Sequence, residues 1–536
     1  MLRFDRLQTP RRDGEVLIEP AAALWAGLIE QDIRHRKPHE CTLRLAGMPI
    51  EEVRHATRAR VLGPKVTGPV IACGHQPEFA HPGVWAKHVI VAEVASRLGA
   101  HGADLVVDND APRTTALTLP DPDPDGYIDQ QIIPVLRGTT GAAYESRPPL
   151  NPAAIDAIQR QIADTLAGIT IADDGHLADG GPPADGGRLA DTSLVFQYLS
   201  GVASAARPRD FVEQHLAGRA HVDRLFAIDL QEIRVSDAFN GPFVADILLN
   251  LERFAHEYNS SLAEYRREQR VRSPDRPLPD LKRVEDRLEA PFWIYQPLQQ
   301  RRRLWIASRG DALDLFAGPD LVGTLSRTEL ARSAAAALAS LAPWVIRPRA
   351  LTLTLWARLL LCNLFVHGIG GAKYDRINDG IFRRYYGCEP PPYACVSATL
   401  RLPLPRFAVS RSDLLAARRR VRDLRFNPQR YVADVPADLL AARNRLIAQG
   451  AELRASRAPA LQRREVFRGI REINERLSAM HPELTAEFDA AAARIGRQLA
   501  SNAIADSREF FYALQPRSRL EMLAGSLRET VKRPEA

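Results

Sequence analysis

Apolar and polar residues alternate in blocks between residues 70 and 110 of the 536-residue chain. An apolar run at 70–73 precedes the polar loop GHQPEFAHPG, and apolar residues then recur every three or four positions across Pro82–Leu98. A second apolar run ends in a polar triplet at 108–110. This pattern predicts a strand, a loop, a helix beginning at Pro82 and a second strand, the repeating unit of a parallel sheet.

A second block with the same order of elements lies between residues 343 and 403. We expect it to contain a helix at about 352–363, a strand at 364–366, the glycine-rich turn HGIGGAKYD, a helix at 372–386 and a strand at 393–396. Two such units predict an α/β fold with a Rossmann-type parallel sheet at its core.

The same patterns divide the chain into regions. We expect an N-terminal element packed on the core over 1–68, the Rossmann-type core over 69–403 with an α+β insertion at about 112–340, a helical coiled-coil arm over 410–512 and a return to the core over 513–536. The arm is predicted because apolar residues recur at steps of three and four from Ile470 to Leu499, with Pro482 dividing the helix.

The insertion combines helical and strand patterns. Helices are predicted at 151–167, 193–205, 209–217 and 244–270, and a small antiparallel sheet at 292–316. The stretch at 173–191 repeats Ala, Asp and Gly, which is typical of a mobile surface loop.

Composition favours a soluble globular protein, with 45% hydrophobic and 26% charged residues. The first residues carry no secretory pattern, and the most apolar window, at 350–366, is interrupted by Arg358. The five cysteines are scattered along the chain, which is typical of reduced, buried thiols. We therefore expect a cytoplasmic protein with no membrane segment.

The formal net charge of +7 raises the question of a nucleic-acid partner. Arginines and acids are interspersed along most predicted helices, which favours an ordinary solvated surface. We therefore do not expect nucleic acid to be the main partner, and RNA binding by the basic arm remains an alternative.

The loop GHQPEFAHPG ends at a helix N-terminus. Such a loop directs backbone N–H groups and the positive end of the helix dipole at its ligand, which favours phosphate. This predicts a nucleotide, and we take ATP or another adenine nucleotide as the candidate cofactor. The candidate nucleotide- and phosphate-binding residues are Gly74, His75, Gln76, His81, Gly83 and Lys87.

The polar triplet that follows the second strand shares the sheet edge with this loop. Asp108, Asn109 and Asp110 could bind ribose hydroxyls, a magnesium ion or a substrate amine, although Asn-Asp is also common in turns. We take His75, Asp108 and Asp110 as candidate catalytic residues and Asn109 as a substrate contact.

The glycine-rich turn of the second unit would form the opposing wall, because glycine lets the backbone approach a ligand closely. The further substrate-binding candidates are Arg349, Gly368, Gly370, Lys373, Tyr374 and Arg401. His367 is either a core residue or part of the site. The spacing of the histidines fits no HExxH pattern, so we predict no protein metal-ligand set.

Four sequence blocks carry a family resemblance. They are GHQPEFAHPGVWAKH, the triplet at 108–110, RPRALTLTLWARLLLCNLFVHGIGGAKY and FFYALQPRSRLEML. The first resembles a GQQ loop followed by Gly-Pro, an aromatic residue and Lys. The second resembles an acidic EDHD-like motif, the third an arginine strand with a GPGE turn, and the fourth an aromatic-Pro closing block. In this alignment Gly371 stands at the glutamate of GPGE.

These blocks resemble the bacillithiol-biosynthesis cysteine-adding enzyme family, also called cysteine ligase BshC. The resemblance implies a Rossmann domain of the class I aminoacyl-tRNA synthetase type, with connective insertions and a coiled-coil arm. It also implies a ligase or transferase that joins an amine or amino acid, such as cysteine, to a small acidic or sugar-linked acceptor. We expect a small-molecule substrate and a homodimer formed through the arm. The alternatives are an RNA-binding protein and a non-catalytic assembly relative of the same fold.

Overall fold

The computed structural model describes residues 4–36, 43–112, 116–136, 141–171, 187–239, 241–273 and 276–532. Most of the low-complexity stretch predicted as a surface loop lies outside these ranges, as does Cys41. The four cysteines within them are free thiols, and three of these are buried. Among the described residues, no helix is long and apolar enough to cross a bilayer.

The central sheet has six strands. In chain order they are β1 Val16–Glu19, β2 Val70–His75, β3 His101–Val106, β4 Gln231–Arg234, β5 Leu364–His367 and β6 Tyr393–Ala398. Across the sheet the order is β1-β6-β5-β2-β3-β4. Strands β2 to β6 are parallel, whereas β1 is an antiparallel edge strand. The molecule is therefore a mixed α/β protein, and its strand order reverses between β2 and β5.

Both faces of this sheet are buried, which explains its continuous apolar runs. Successive side chains of a strand point to opposite faces. Accordingly, Val70 and Ala72 join one apolar core, and Ile71 and Cys73 join the other.

The helix Pro82–Leu98 connects β2 to β3, as the pattern predicts. His81 caps its N-terminus, because the side chain accepts a hydrogen bond from the Gly83 amide. The helix ends where Gly99 adopts a left-handed conformation with φ of 59°. These two signals fix the ends of the helix, and the cap at His81 also ends the loop that faces the carboxyl edge of the sheet.

A second, antiparallel sheet packs near this edge. Its strands, in spatial order, are Asp320–Ser326, Ala312–Ala317, Arg302–Arg309, Arg287–Tyr295 and Val345–Pro348, with the short strand Arg283–Val284 on the side. The sequence predicts three of these strands. Val345–Pro348 pairs with Arg287–Tyr295 and then leads directly into the helix Ala350–Trp356, so this strand joins the insertion to the second half of the core.

Most other predicted helices occur with shifted ends. The segment at 244–270 forms two helices, Pro242–Leu249 and Leu251–Glu268, and the segment at 352–363 ends in a π-helical turn. The remaining helices of the described chain before the arm are Trp25–His35, Ile50–Val61, Pro152–Ala167, Leu189–Thr192, Val195–Ser204, Phe211–Asp223, Val235–Ala238, Arg327–Arg332, Ala334–Ala339, Ile369–Tyr374 and Arg376–Ile381. The π-helical turns are Ala357–Leu361 and Phe382–Tyr386, and two-stranded sheets form from Arg44–Leu45 with Met48–Pro49 and from Ala116–Pro122 with Ile128–Pro134.

The C-terminal region is helical. It contains Arg411–Phe426, Ala437–Ala455, Ala460–Ala479, Pro482–Ala505 and Arg517–Lys532. The first of these helices packs on the fourth and the second on the third. Leu439, Ile473 and Leu477 form a small separate apolar core, whereas the last helix contributes Leu520 to the large core of the central sheet.

Candidate functional site

A cleft of about 760 Å³ opens at the carboxyl ends of β2, β3 and β5. It lies at the point where the strand order reverses, where open α/β sheets bind ligands. The structure brings most of the predicted site residues together in its wall: Gly74, His75, Gln76, His81, Gly83, Lys87, Asn109, Asp110, Arg349, Gly368, Gly370 and Tyr374.

Three predicted residues do not line the cleft. Asp108 is fully buried, and its carboxylate accepts hydrogen bonds from Arg234 Nε at 2.8 Å and the Ser236 amide at 2.9 Å. Burial raises its pKa, with Arg234 opposing the shift. Asp108 therefore anchors the strand end from behind the cleft, which corrects its predicted catalytic position.

Arg401 and Lys373 also lie away from the cleft wall. Arg401 donates to the carbonyl oxygens of Arg11 at 2.8 Å and Asp506 at 3.0 Å. Its guanidinium thus ties the N-terminal segment to the end of the arm and does not face the predicted substrate. Lys373 lies on the helix after β5, whose cleft-facing residues include Gly370 and Tyr374.

His75 is a neutral residue in this environment. Its Nδ1 lies 3.1 Å from the carbonyl oxygen of Gln76 and donates to it. Burial and the nearby Lys87 ammonium hold its pKa well below the usual range. The lowered pKa favours a neutral imidazole whose Nε2 is an acceptor, and Glu78 Oε1 lies 3.7 Å from this atom. Both features make His75 a weaker phosphate contact than its position in the loop predicts.

Lys87, a predicted phosphate-binding residue, is buried in the wall of the cleft. Its Nζ donates to the Gly74 carbonyl at 2.7 Å, and burial lowers its pKa. His81 is the helix cap, and burial lowers its pKa to about 3, with Arg508 contributing. Both side chains therefore build the loop, and the charge at the cleft comes mainly from other residues.

That charge comes largely from the second sheet and from Arg349, which directly follows one of its strands. The sequence predicts Arg349 as a site residue but not Arg301 or Arg303. Arg301, Arg303 and Arg349 line the cleft, together with Trp293. Buried Glu289 accepts from Arg349 Nη1 at 2.7 Å and lies 3.4 Å from Arg303 Nη1, so it holds the two guanidinium groups side by side. These arginines form a cationic wall opposite the loops.

The polar triplet supplies two groups to the cleft. Asp110 accepts from Gln76 Nε2 at 2.9 Å and pairs with Arg301 at 2.5 Å. Asn109 donates to the Pro348 carbonyl at 2.9 Å, while its buried Oδ1 has no partner among the described residues. Because a buried amide oxygen normally accepts a hydrogen bond, Asn109 is a candidate acceptor for a ligand N–H or O–H.

His367 lines the cleft at the end of β5 and contacts a buried carboxylate. Its Nε2 lies 3.1 Å from Asp375 Oδ2, and Asp375 also binds Arg358 and Thr354, each at 2.6 Å. Burial alone would raise the Asp375 pKa, but Arg358 and His367 hold it low. The two side chains are at ion-pair distance, although the Nε2 atom makes no hydrogen bond of regular geometry to any described residue. A buried carboxylate beside an imidazole is an arrangement that can serve as an acid–base pair.

The glycines around the cleft differ in what they contact. A Cβ on Gly74 would lie 2.9 Å from the Leu105 carbonyl oxygen, and one on Gly371 would lie 2.7 Å from His367 Nδ1. A Cβ on Gly368 or Gly370 would meet no described atom within 4 Å. Packing therefore accounts for Gly74 and Gly371, whereas the lack of side chains at Gly368 and Gly370 keeps the cleft wall open.

One buried cluster of side chains could in principle bind a metal ion. Atoms of Cys73, His88 and Asp104 lie within 4.8 Å of one another. However, Arg219 pairs with Asp104 at 2.7 Å, and burial holds the Cys73 pKa well above its usual range. A protonated thiol and an already compensated carboxylate are poor ligands for a divalent ion.

Comparison with protein-family models gives no match to this chain, and comparison with curated proteins gives none either.

Proposed function

We propose that the protein is a nucleotide-binding ligase or transferase that joins an amine or amino acid to a small acidic or sugar-linked acceptor. The observation that carries the proposal is the cleft at the reversal of strand order, which combines a cationic wall, an open glycine turn and a histidine beside a buried carboxylate. The order of the five parallel strands matches that of Rossmann-type nucleotide-binding sheets, which supports assigning the core to that type.

Phosphate groups would lie between the turn at 368–371 and the guanidinium groups of Arg349 and Arg303. Arginine donates two parallel hydrogen bonds to a phosphate or carboxylate, and its charge would stabilise negative charge that develops during acyl or phosphoryl transfer. Gly368 and Gly370 would allow the backbone to approach these oxygens closely. Asp110 would bind a ribose hydroxyl, the substrate amine or a magnesium ion, in competition with Arg301.

The nucleotide would activate a carboxyl group of the acceptor by phosphoryl or adenylyl transfer. The amine would then attack this carbonyl carbon, form the carbon–nitrogen bond, release phosphate or AMP and lose a proton. His367 would accept that proton, and Asp375 would stabilise the resulting imidazolium. The acidic character of the acceptor is inferred from the arginines alone, and cysteine as the amino acid is inferred from the family resemblance.

Thermal-shift titration with ATP, ADP and AMP tests the nucleotide part. A ligand present at about 100 times its dissociation constant stabilises the folded state by ~2.7 kcal/mol, which raises the melting temperature measurably. We expect ATP to shift the transition more than AMP, because additional phosphates reach the cationic wall. The absence of a shift with all three nucleotides at millimolar concentration would refute nucleotide binding.

A further inference from the structure

The segment at 411–431 differs in charge from the rest of the arm. It contains seven arginines and two aspartates, whereas the following helices mix basic and acidic residues. The mixture of arginines and acids found on most helices is therefore absent from this segment. This segment includes the helix Arg411–Phe426 and the turn that follows it.

The arginines of this helix are exposed and mostly not engaged by acids. Among the described residues, no acidic partner lies in salt-bridge range of Arg418, Arg419, Arg422 or Arg425, and all four are exposed. Arg422 instead lies 5.7 Å from the ring centroid of Phe426. We call Arg418, Arg419, Arg420, Arg422 and Arg425 the arginine face.

Two aromatic rings adjoin the arginine face. An open cavity of about 570 Å³ is lined by Arg419, Arg420, Arg422, Asp423, Phe426, Asn427 and Tyr431. Phe426 is 42% exposed, although it is a large apolar side chain. Tyr431 is fixed by a hydrogen bond of 2.9 Å from its hydroxyl to Asp423. Arg419, Arg422 and Phe426 are spaced three and four residues apart, so they lie along one side of the helix.

We propose that the arginine face and its aromatic cavity bind single-stranded RNA. Arginine side chains would contact the phosphates, and a base would stack on Phe426 or Tyr431. An acidic peptide would form ion pairs with the arginines but would not stack on the aromatic rings. A duplex would keep its bases paired, so they could not stack on the rings either. The pairing of free guanidinium groups with an exposed ring therefore favours a single strand.

The choice of RNA over DNA rests on Asp423. Its carboxylate lines the cavity and accepts hydrogen bonds from Asn427, Tyr431 and the exposed Arg430. A ribose 2′-hydroxyl would donate to this carboxylate in place of Arg430. DNA lacks this donor. The inference extends beyond the proposed cleft activity, because the arm and the cleft are separate surfaces with different lining residues.

Fluorescence anisotropy with the full-length protein tests this site. The probes are labelled single-stranded RNA and DNA of identical sequence, and the competitors are duplex RNA and polyglutamate. We expect RNA to bind most tightly and its affinity to fall as salt rises, with the logarithmic slope reduced by about 0.7 for each phosphate contact removed.

Variants separate the site from general surface charge. Arg419→Ala combined with Arg422→Ala, and separately Phe426→Ala, should each weaken RNA binding about tenfold. The control combines Arg468→Ala with Arg471→Ala on another exposed part of the arm and should change affinity less than about twofold. Circular dichroism confirms that each variant remains helical.

Four results would overturn the proposal. They are the absence of RNA binding at low salt, equal affinity for DNA, displacement by polyglutamate as effective as displacement by RNA, and unchanged RNA affinity in folded Phe426→Ala protein. A reduced affinity in the double arginine and Phe426 variants, with the control unaffected and RNA preferred, supports it.

Discussion

At the residue scale, two neighbouring glycines lack side chains for different reasons. Gly371 leaves room for His367 Nδ1, which a methyl group would contact at 2.7 Å. Gly370 is exposed at the cleft, and a methyl group added to its backbone would meet no described atom within 4 Å. The first glycine serves the protein's own packing, whereas packing does not explain the second, which fits the proposed ligand contact.

Replacing Gly370 with Ala should separate binding from stability. Alanine is favoured over glycine in a helix by up to about 1 kcal/mol, so the melting temperature should stay the same or rise. The methyl group would occupy ligand space and weaken ATP binding about tenfold, which is ~1.4 kcal/mol. Calorimetric titration measures the affinity, and unchanged affinity in this variant would contradict the role of the turn.

Gly371→Ala is the matched comparison. Its methyl group would force His367 or the turn to move, so we expect a lower melting temperature as well as weaker binding. A variant as stable as the wild type would show that His367 adjusts without cost.

Glu232 gives a prediction for pH. Burial raises its pKa to about 7, with Arg219 opposing the shift, whereas the unfolded chain has the ordinary value near 4.5. The folded state therefore binds the additional proton between these values, and this residue's contribution to stability falls as pH rises through that window. Glu232→Gln should stabilise the protein by on the order of 2 kcal/mol at pH 8 and by little at pH 4.5. Urea unfolding at both pH values checks this, and an equal effect at both would contradict the raised pKa.

Much of the loop side of the site is predictable from the sequence, because carboxyl ends of parallel strands share one edge. The cationic wall is not predictable from the sequence, because Arg301 and Trp293 reach the cleft only when the second sheet packs against the central sheet. His367 can be recognised as a candidate acid–base residue only when its neighbour Asp375 is known. Asp375 lies eight positions later in the sequence, and its burial depends on the ion pair with Arg358. Asp108 is the reverse case: the sequence predicts it as a site residue, but the structure buries it against Arg234. A polar residue that follows a strand can thus have a buried partner instead of facing a ligand.

At the element scale, strands with clear boundaries are the predictable ones. β2 is followed by a polar loop and a helix that begins at a proline. It lies at the position that the apolar run predicts. β1 and β4 have four residues each, and their place in the sheet depends on distant partners such as β6. The arm helices follow from their periodicity, whereas their role as a coiled coil remains a prediction.

The arm has a much smaller apolar core than the central sheet, so it should open independently. Leu477 is fully buried in this small core. Leu477→Ala should destabilise the arm by about 2–4 kcal/mol through lost packing. Hydrogen exchange should then accelerate over 411–505 but not over 70–106. Leu461→Ala, at a 67% exposed position, is the control and should have little effect. Equal acceleration in both regions would contradict an independent arm.

At the scale of the whole molecule, the arm carries much of the exposed apolar surface. Leu461 and Phe467 are 67% and 57% exposed. The homodimer through the arm stays a prediction, and Phe467 is an exposed apolar residue at which it can be tested. Light scattering should give twice the 59.5 kDa chain mass, and Phe467→Asp should reduce it to one chain. A wild-type protein that remains monomeric at high concentration would contradict this prediction.

The central claim is that the cleft at the strand reversal binds a phosphate-bearing nucleotide. A crystal structure of the protein soaked with saturating ATP tests it most directly. We predict phosphate density between the turn at 368–371 and Arg349, with Asn109 Oδ1 accepting a hydrogen bond from the ligand. An empty cleft in crystals that contain saturating ATP, or nucleotide density confined to another surface such as the arginine face, would contradict the claim.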